Sequence, residues 1–156
     1  MLFLLFHADR ARYAIDVDQL VEVLPLIDIQ PILQMPESVA GAFDYRGTPV
    51  PAIDLSQLML GRPSRRRLST RIVVVRYPDA AGLPHHLGLI AERATETFRG
   101  DLDEFARTGV ARASAPYLGP LIRDEQGFVQ WIEVPKLLPE PVRDVLFAAT
   151  TSAAAG

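Results

Sequence analysis

Gly41-Ala-Phe-Asp-Tyr-Arg-Gly-Thr-Pro-Val-Pro-Ala-Ile-Asp-Leu-Ser-Gln-Leu58 fits a strand, a turn, a second strand and a helix start into one short stretch. Gly41 to Tyr45 carries β-formers and runs into Arg46-Gly47-Thr48-Pro49, where Gly47 supplies φ > 0 and Pro49 sets φ for the chain leaving the bend. A hairpin is predicted, with Arg46 and Gly47 at its tip. Pro49 and Pro51 stand two apart, so their missing N–H groups fall on one side of an extended segment, and that side cannot complete a ladder. Val50 to Ile53 is therefore expected at a sheet edge or beside a bulge. Asp54 then caps a helix from Leu55 to Leu60, with Gln57 at the capping-box position and Gly61 as the stop.

Upstream, Phe3 to His7 is a continuous apolar run, followed by polar Asp9 to Arg12 and then by alternation at Tyr13, Ile15 and Val17. That pattern predicts a second hairpin. Leu20 to Leu24 places Val21 and Val23 on one face and Glu22 on the other, and Pro31 and Pro36 break the chain before a turn at Glu37 to Ala40. Downstream, residues 61–70 are the most linker-like stretch, and after it the pattern begins again. Ile72 to Val75 matches Phe3 to Phe6, Leu87 to Ile90 returns as a second strand, and Ala94 to Phe98 corresponds to Val21 to Leu24. Gly119 to Leu138 reads as a second version of the central stretch with one extra residue in its turn, Glu133 standing for Asp54 and Pro135 placed for a helix start. Residues 101–116 connect strands and leave room for a turn of helix, and the small polar tail 150–156 is expected to fray.

A repeat of this kind predicts two related β-subdomains, each with about the strand count of a small closed or semi-closed barrel. At 156 residues and 49% hydrophobic content, the chain is long enough for a real core. A net charge of −3 and a pI of 5.6 give no general attraction to nucleic acid or anionic lipid. Without cysteine there is no disulfide framework and no thiolate site. The apolar start Met1 to Phe6 is short and lacks a basic leader, which suits a buried strand better than a signal or membrane span.

Candidate chemistry is sparse. His85 and His86 are strand neighbours that point to opposite faces and have no other ligand at metal spacing. Arg65-Arg66-Arg67 reads as a solvated connector, although its charges suit phosphate. Trp131 suits packing in a core or between subdomains. Asp54 is better placed as a cap than as a general base, since the local geometry places no histidine, serine nucleophile or second carboxylate near it. No phosphate loop, metal-ligand cluster or nucleophile elbow occurs, so no cofactor is expected. Arg46, at an exposed tip on a stiff support, is the residue best placed to meet a partner. The rival reading is a small-ligand-binding β-barrel or a hydrolase using Asp54 or His86.

Gly41-Ala-Phe-Asp-Tyr-Arg-Gly47 followed by Pro49-Val-Pro-Ala-Ile-Asp-Leu55 resembles the signature of the CheW family of bacterial chemosensory adaptors, written Gly-Val-Ile-Asn-Leu-Arg-Gly and then Pro-Val-Ile-Asp-Leu. Flanking matches are Phe3 to Phe6 with Tyr13-Ala-Ile-Asp16, Leu20-Val-Glu-Val23, Pro36 before Gly41, and Thr70-Arg-Ile-Val-Val-Val75 with Leu87-Gly-Leu-Ile90, so the likeness covers about residues 1–147. It implies an all-β fold of two packed five-stranded SH3-like barrels with short helices, forming a single domain over 1–149 with an internal boundary near 61–70. It also implies a non-catalytic, cytoplasmic adaptor that joins the cytoplasmic tips of methyl-accepting chemoreceptors to the regulatory domain of a CheA-type histidine kinase. Such a protein reaches the inner membrane only through its partners. By the same likeness Arg46, Gly47 and Glu22 contact partners, and Leu20 and Gly41 lie beside that surface. Asp44 and Tyr45 replace the usual Asn-Leu, adding a charge and a hydroxyl that suit partner discrimination. Glu133-Val-Pro-Lys-Leu-Leu138 and Thr95-Glu-Thr-Phe98 further resemble the adaptors of Wsp-type surface-sensing systems, which feed a diguanylate cyclase.

Overall fold

Two uninterrupted apolar runs, Phe3 to Phe6 and Ile72 to Val75, need cover on both faces, because successive strand side chains point to opposite sides. That double cover is present in the computed structural model, which describes residues 1–102 and 114–155, the side chains of 151–155 excepted. Strand β1 (Leu2–Ala8) sends Phe3 and Leu5 into a cluster with Ala14, Ile122 and Val129, and sends Leu4 and Phe6 into a larger cluster on its other face. Strand β6 (Arg71–Pro78) divides in the same way. Its Ile72 and Val74 join Phe43, Tyr45 and Val50, whereas Val73, Val75 and Tyr77 join Leu4 and Phe6. The largest core is thus shared by two sheets, and each sheet keeps a smaller core of its own.

The chain is mostly strand, in two strand-rich subdomains. The first contains β3 (Leu20–Pro25), β4 (Val39–Tyr45), β5 (Thr48–Asp54), β6 and the first half of β7 (Pro84–Arg99). The second contains β1, β2 (Ala11–Asp16), β8 (Asp101–Leu102), β9 (Leu118–Asp124), β10 (Gly127–Ile132) and the second half of β7. These subdomains are not the two sequence halves. The β1–β2 hairpin pairs with the far end of β7 and, in parallel, with β10, so residues 61–70 form a loop inside the first subdomain instead of its boundary. The cause lies in β7. Ala94 to Phe98 does not start a new strand equivalent to β3 but continues β7, which runs for 16 residues from one sheet into the other.

The central stretch folds largely as its residues dictate. Helix α1 (Leu55–Leu60) is capped by Asp54, whose carboxylate accepts from the Ser56 and Gln57 backbone N–H groups, and it ends at Gly61 with φ +75°. Gln57 does not close a capping box; its side chain turns to Glu37 at 3.4 Å, and the Asp54 N–H donates to the Ser38 carbonyl instead. Strand β5 is an edge only in part. Ala52 to Asp54 pair with Gly88 to Ile90 of β7, leaving Thr48 to Pro51 without a partner on that side, where the prolines have no N–H to offer.

Three expectations need correction. A register shift between Leu20 and Glu22 in β3 turns Val21 and Leu24 inward and leaves Val23 exposed. The hairpin of β9 and β10 has no longer turn than the central one, since Asp124 pairs with Gly127 as Tyr45 pairs with Thr48, and the extra residue is absorbed by a shift between Gln130 and Ile132. Glu133 caps nothing; it pairs with Lys136 at 2.9 Å, and only a one-turn 3-10 helix forms over Val134–Lys136. The turn of helix allowed within 101–116 falls mainly on residues outside those described. The chain then forms a helix that the tail reading missed, α2 (Glu140–Ala155), carrying through the expected start of the tail at 150 with Thr150 buried. Its signal was legible: Pro141 is tolerated in a first turn, and Val142, Leu146, Phe147 and Thr150 recur at helical spacing. Among the described residues, no helix is long and apolar enough to cross a membrane.

The bulge in β4 supplies one prediction. Gly41 has φ +143°, and a Cβ there would sit 2.0 Å from the Gln30 carbonyl oxygen. Gly41→Ala should cost about 3 kcal/mol, or roughly 6–12 °C in a thermal melt, whereas Gly47→Ala, with open space around it, should cost about 1–2 kcal/mol through φ alone. A normal melt for Gly41→Ala would contradict this packing.

A second prediction concerns pH. Arg12 on β2 grips Asp124 at the β9–β10 turn through two hydrogen bonds of 2.7 and 3.0 Å, with side chains only 16% and 12% exposed. The Arg12 hydrogen bond is the main cause holding the Asp124 carboxyl below its ordinary 3.8. Its stabilisation is therefore full above that ordinary value and is lost as pH falls through the lower, folded one. Asp124→Asn should cost about 1.5–3 kcal/mol at neutral pH, and the gap to wild type should close in acid, as read by melts across the pH series.

Candidate functional site

The central hairpin turns through two residues of positive φ, Arg46 at +52° and Gly47 at +84°, between the paired Tyr45 and Thr48. Both signs fit a type I′ turn, whose twist matches that of the flanking strands. Asp44 locks it, its Oδ1 accepting the Gly47 N–H at 2.7 Å. A left-handed arginine costs about 1–2 kcal/mol, so the side chain at the tip is held in place by its neighbours and not by local preference.

Those neighbours come from β3 and β4. The Arg46 guanidinium lies 5.2 Å from the Tyr45 ring centroid and donates to Glu22 Oε2 at 3.1 Å, while the Tyr45 hydroxyl donates to the same oxygen at 2.6 Å. The Tyr45 ring is buried, edge-on to Phe43 and to His86. The hydrogen bond to Glu22, followed by burial, pushes the Tyr45 phenol above its ordinary value. Arg46 does not stand free, then, but it remains 76% exposed and Glu22 34% exposed. One carboxylate oxygen is shared by two donors, and most of the Arg46 side chain stays exposed.

The structure brings Glu22, Tyr45 and Arg46 together and gives Asp44 and Gly47 the turn that carries them. It separates the other two candidates. The slip in β3 pairs Leu20 with Val75 and Glu22 with Val74, so Leu20 packs against the shared core while Glu22 takes the opposite side. Gly41 is buried at the bulge against Gln30, a close backbone approach and not an exposed contact. His86 is a neighbour that sequence did not join to this group, although the opposite-face rule for adjacent strand residues held: His86 meets Tyr45, and His85 stacks on Phe147 and contacts Asp79 at 2.8 Å.

The residues of the rival reading are otherwise engaged. Asp54 is buried and accepts four hydrogen bonds, from Ser56 and Gln57 N–H groups and from both the N–H and the hydroxyl of Ser64. Trp131 packs edge-on to Phe3 in the core of the second subdomain. Among the described residues, no group of three or more His, Asp or Glu is placed to hold a metal ion.

Comparisons with known proteins bear on the family and the fold. The sequence profile of the CheW-like domain matches residues 2–142. The chemotaxis protein CheW of Thermotoga maritima is 23% identical over 135 residues, 86% of this chain and 85% of that protein. The scaffolding protein TtCheW from Thermoanaerobacter tengcongensis, known from a crystal structure, shares the fold with a TM-score of 0.73 at 20% identity, over 88% of this chain and 87% of that one. With a profile that runs from β1 into α2 and includes the whole hairpin, the chain belongs to the CheW-like domain family.

Proposed function

We propose that this chain is a non-catalytic adaptor that couples methyl-accepting chemoreceptors to a CheA-type histidine kinase in a chemosensory array. Membership of the CheW-like domain family supports the adaptor role. The single observation that carries it to residues is the locked hairpin tip, where an exposed arginine stands at the family's signature position on a buried, hydrogen-bonded base. Two SH3-like barrels, working as one unit over 1–149, would hold the cytoplasmic receptor tip and the kinase regulatory domain in register. Receptor state then passes through shared contacts and not through bond chemistry. Arg46 and Glu22 make the contacts, Asp44 and Tyr45 tune which partner is accepted, and Leu20, Gly41 and Gly47 support that surface. The site of action is the cytoplasmic face of the inner membrane, reached through the partners.

The arrangement sets a competition. A partner carboxylate or carbonyl must share the guanidinium with Glu22, which its five donors permit. Arg46→Ala should leave the thermal midpoint almost unchanged, because an ion pair this exposed is worth at most about 1 kcal/mol. It should weaken association with a receptor-tip fragment or the kinase regulatory domain about tenfold or more in calorimetric titration, and Arg46→Lys should rescue poorly if the contact is bidentate. Normal binding of both partners by Arg46→Ala would remove the arginine from the contact.

The base of the tip has its own readout. Because Tyr45 donates to Glu22, the fold favours the neutral phenol, so this stabilisation is full below the ordinary value of 10.0 and is lost as pH rises through the higher, folded one. In ultraviolet difference titration, Glu22→Ala should move one tyrosine back toward its ordinary value. The other three, Tyr13, Tyr77 and Tyr117, are raised chiefly by burial and should stay where they are. An unmoved titration curve would mean that the hydroxyl bond is not made in solution.

A further inference from the structure

The loop from α1 to β6 carries Arg62, Arg65, Arg66 and Arg67, a run that reads in sequence as a solvated connector. In the fold it is anchored at both ends. The Ser64 N–H and hydroxyl bind Asp54 at 2.9 and 2.6 Å, the Thr70 N–H donates to the Arg67 carbonyl at 3.0 Å, and the Ala94 N–H donates to the Ser69 carbonyl at 3.2 Å. The last of these bonds ties the loop to the seam where β7 passes between sheets. There the register with β1 slips between Leu5 and His7, and Arg93 takes φ +52°. A non-glycine residue held in that conformation by its surroundings is a recurrent mark of a functional site.

Arg93 lines one small pocket, of about 50 Å³, together with Arg62, Arg65, Arg67 and His7. Two carboxylates also border it, Asp9 and Glu92. Arg62 pairs with Asp9 at 3.4 Å, and Glu92 accepts the Ser56 hydroxyl at 3.0 Å. Among the described residues, Arg65, Arg67 and Arg93 have no carboxylate partner. Three arginines lining one pocket place like charge together, and a compact anion offsets that repulsion. The volume exceeds that of a single water and suits a tetrahedral oxyanion.

We infer that this seam pocket binds a phosphoryl dianion, held by Arg65, Arg67 and Arg93, with His7 as a further donor. Guanidinium forks match phosphate oxygens two at a time, and the three arginines lining the pocket come from two elements, the pinned loop and the bulged strand. The net-acidic chain and the small pocket favour an isolated phosphoryl group over a nucleic-acid backbone. This site is separate from the Arg46 hairpin, so its fate does not decide the adaptor role. His7 reports on it: burial first, then the charges of Arg93 and Arg12, hold its imidazolium below the usual range, against an opposing pull from Glu96. A bound dianion adds negative charge to the pocket and shifts His7 upward.

The experiment is a nuclear magnetic resonance titration of the whole chain with inorganic phosphate, against chloride at matched ionic strength. Saturable shifts are expected at the Arg65, Arg67 and Arg93 amides, with a rise in the His7 titration midpoint. Arg65→Gln, on an exposed loop, should weaken phosphate binding about tenfold with no fall in melting temperature, and Arg93→Gln should weaken it as much. Because Arg65→Gln lies outside the sheets, it keeps the test valid even if Arg93→Gln fails to fold. ADP binding more tightly than phosphate would mark a polyphosphate ligand, and phosphoserine binding as well as phosphate would mark a modified partner side chain; either outcome supports the site. Shifts no larger than those with chloride, or equal phosphate binding by Arg65→Gln, would overturn it.

Discussion

Strand alternation over unbroken apolar sequence is the constraint from which the rest of the architecture follows. When Phe3, Leu4, Leu5 and Phe6 are all apolar, neither face of β1 tolerates water, and the same holds for β6. One face of each fills its own sheet, and the other faces meet in the common layer completed by Ile53, Leu55, Leu146 and Phe147. Packing of this kind admits little relative movement of the two sheets, because close-packed interiors resist small shifts. A scaffold is served by such a body, since a compliant one would not keep its surface features at fixed separations.

Local features were legible in the sequence because local chemistry decides them. The Asp54 cap, the Gly61 stop and the turn at Arg46–Gly47 each depend on residues within a few positions, and each appears where side-chain chemistry places it. Assembly was less legible. Nothing in the β1–β2 hairpin says that it pairs with β10 and not with β3, because both candidates offer a similar alternating face. The continuity of β7 through Glu92 and Arg93 was hidden because two charged residues in a row resemble a loop, whereas a bulge carries the strand past them without ending it. Helix α2 was passed over because the small polar residues from Thr150 onward suggested a frayed tail.

The candidate site shows the same division. Arg46 and Gly47 could be placed from turn chemistry alone, but the Asp44 lock on the turn and the convergence of Glu22 on Tyr45 and Arg46 across β3 and β4 required the structure. The bulge that separates Leu20 from Glu22 is likewise invisible in a pattern of alternating residues. In the assembled tip, the tyrosine that departs from the family signature does more than decorate the surface. Its ring supports the guanidinium, and its hydroxyl orients the carboxylate that restrains it.

The interlaced sheets also set the order in which this protein can be built. The β1–β2 hairpin leaves the ribosome long before its neighbours β9 and β10, and the Arg12–Asp124 pair spans 112 residues. At roughly 5–20 residues per second, β2 waits on the order of 10 s with one edge open and one apolar face uncovered. Pairings this distant in sequence make folding slow and expose strands to the wrong neighbours. The first subdomain, by contrast, is contiguous from β3 to the middle of β7 and can close around Ile72 and Val74 while the rest is still being made. Synthesis thus completes the half that carries the Arg46 hairpin first, and the second half folds onto a finished template.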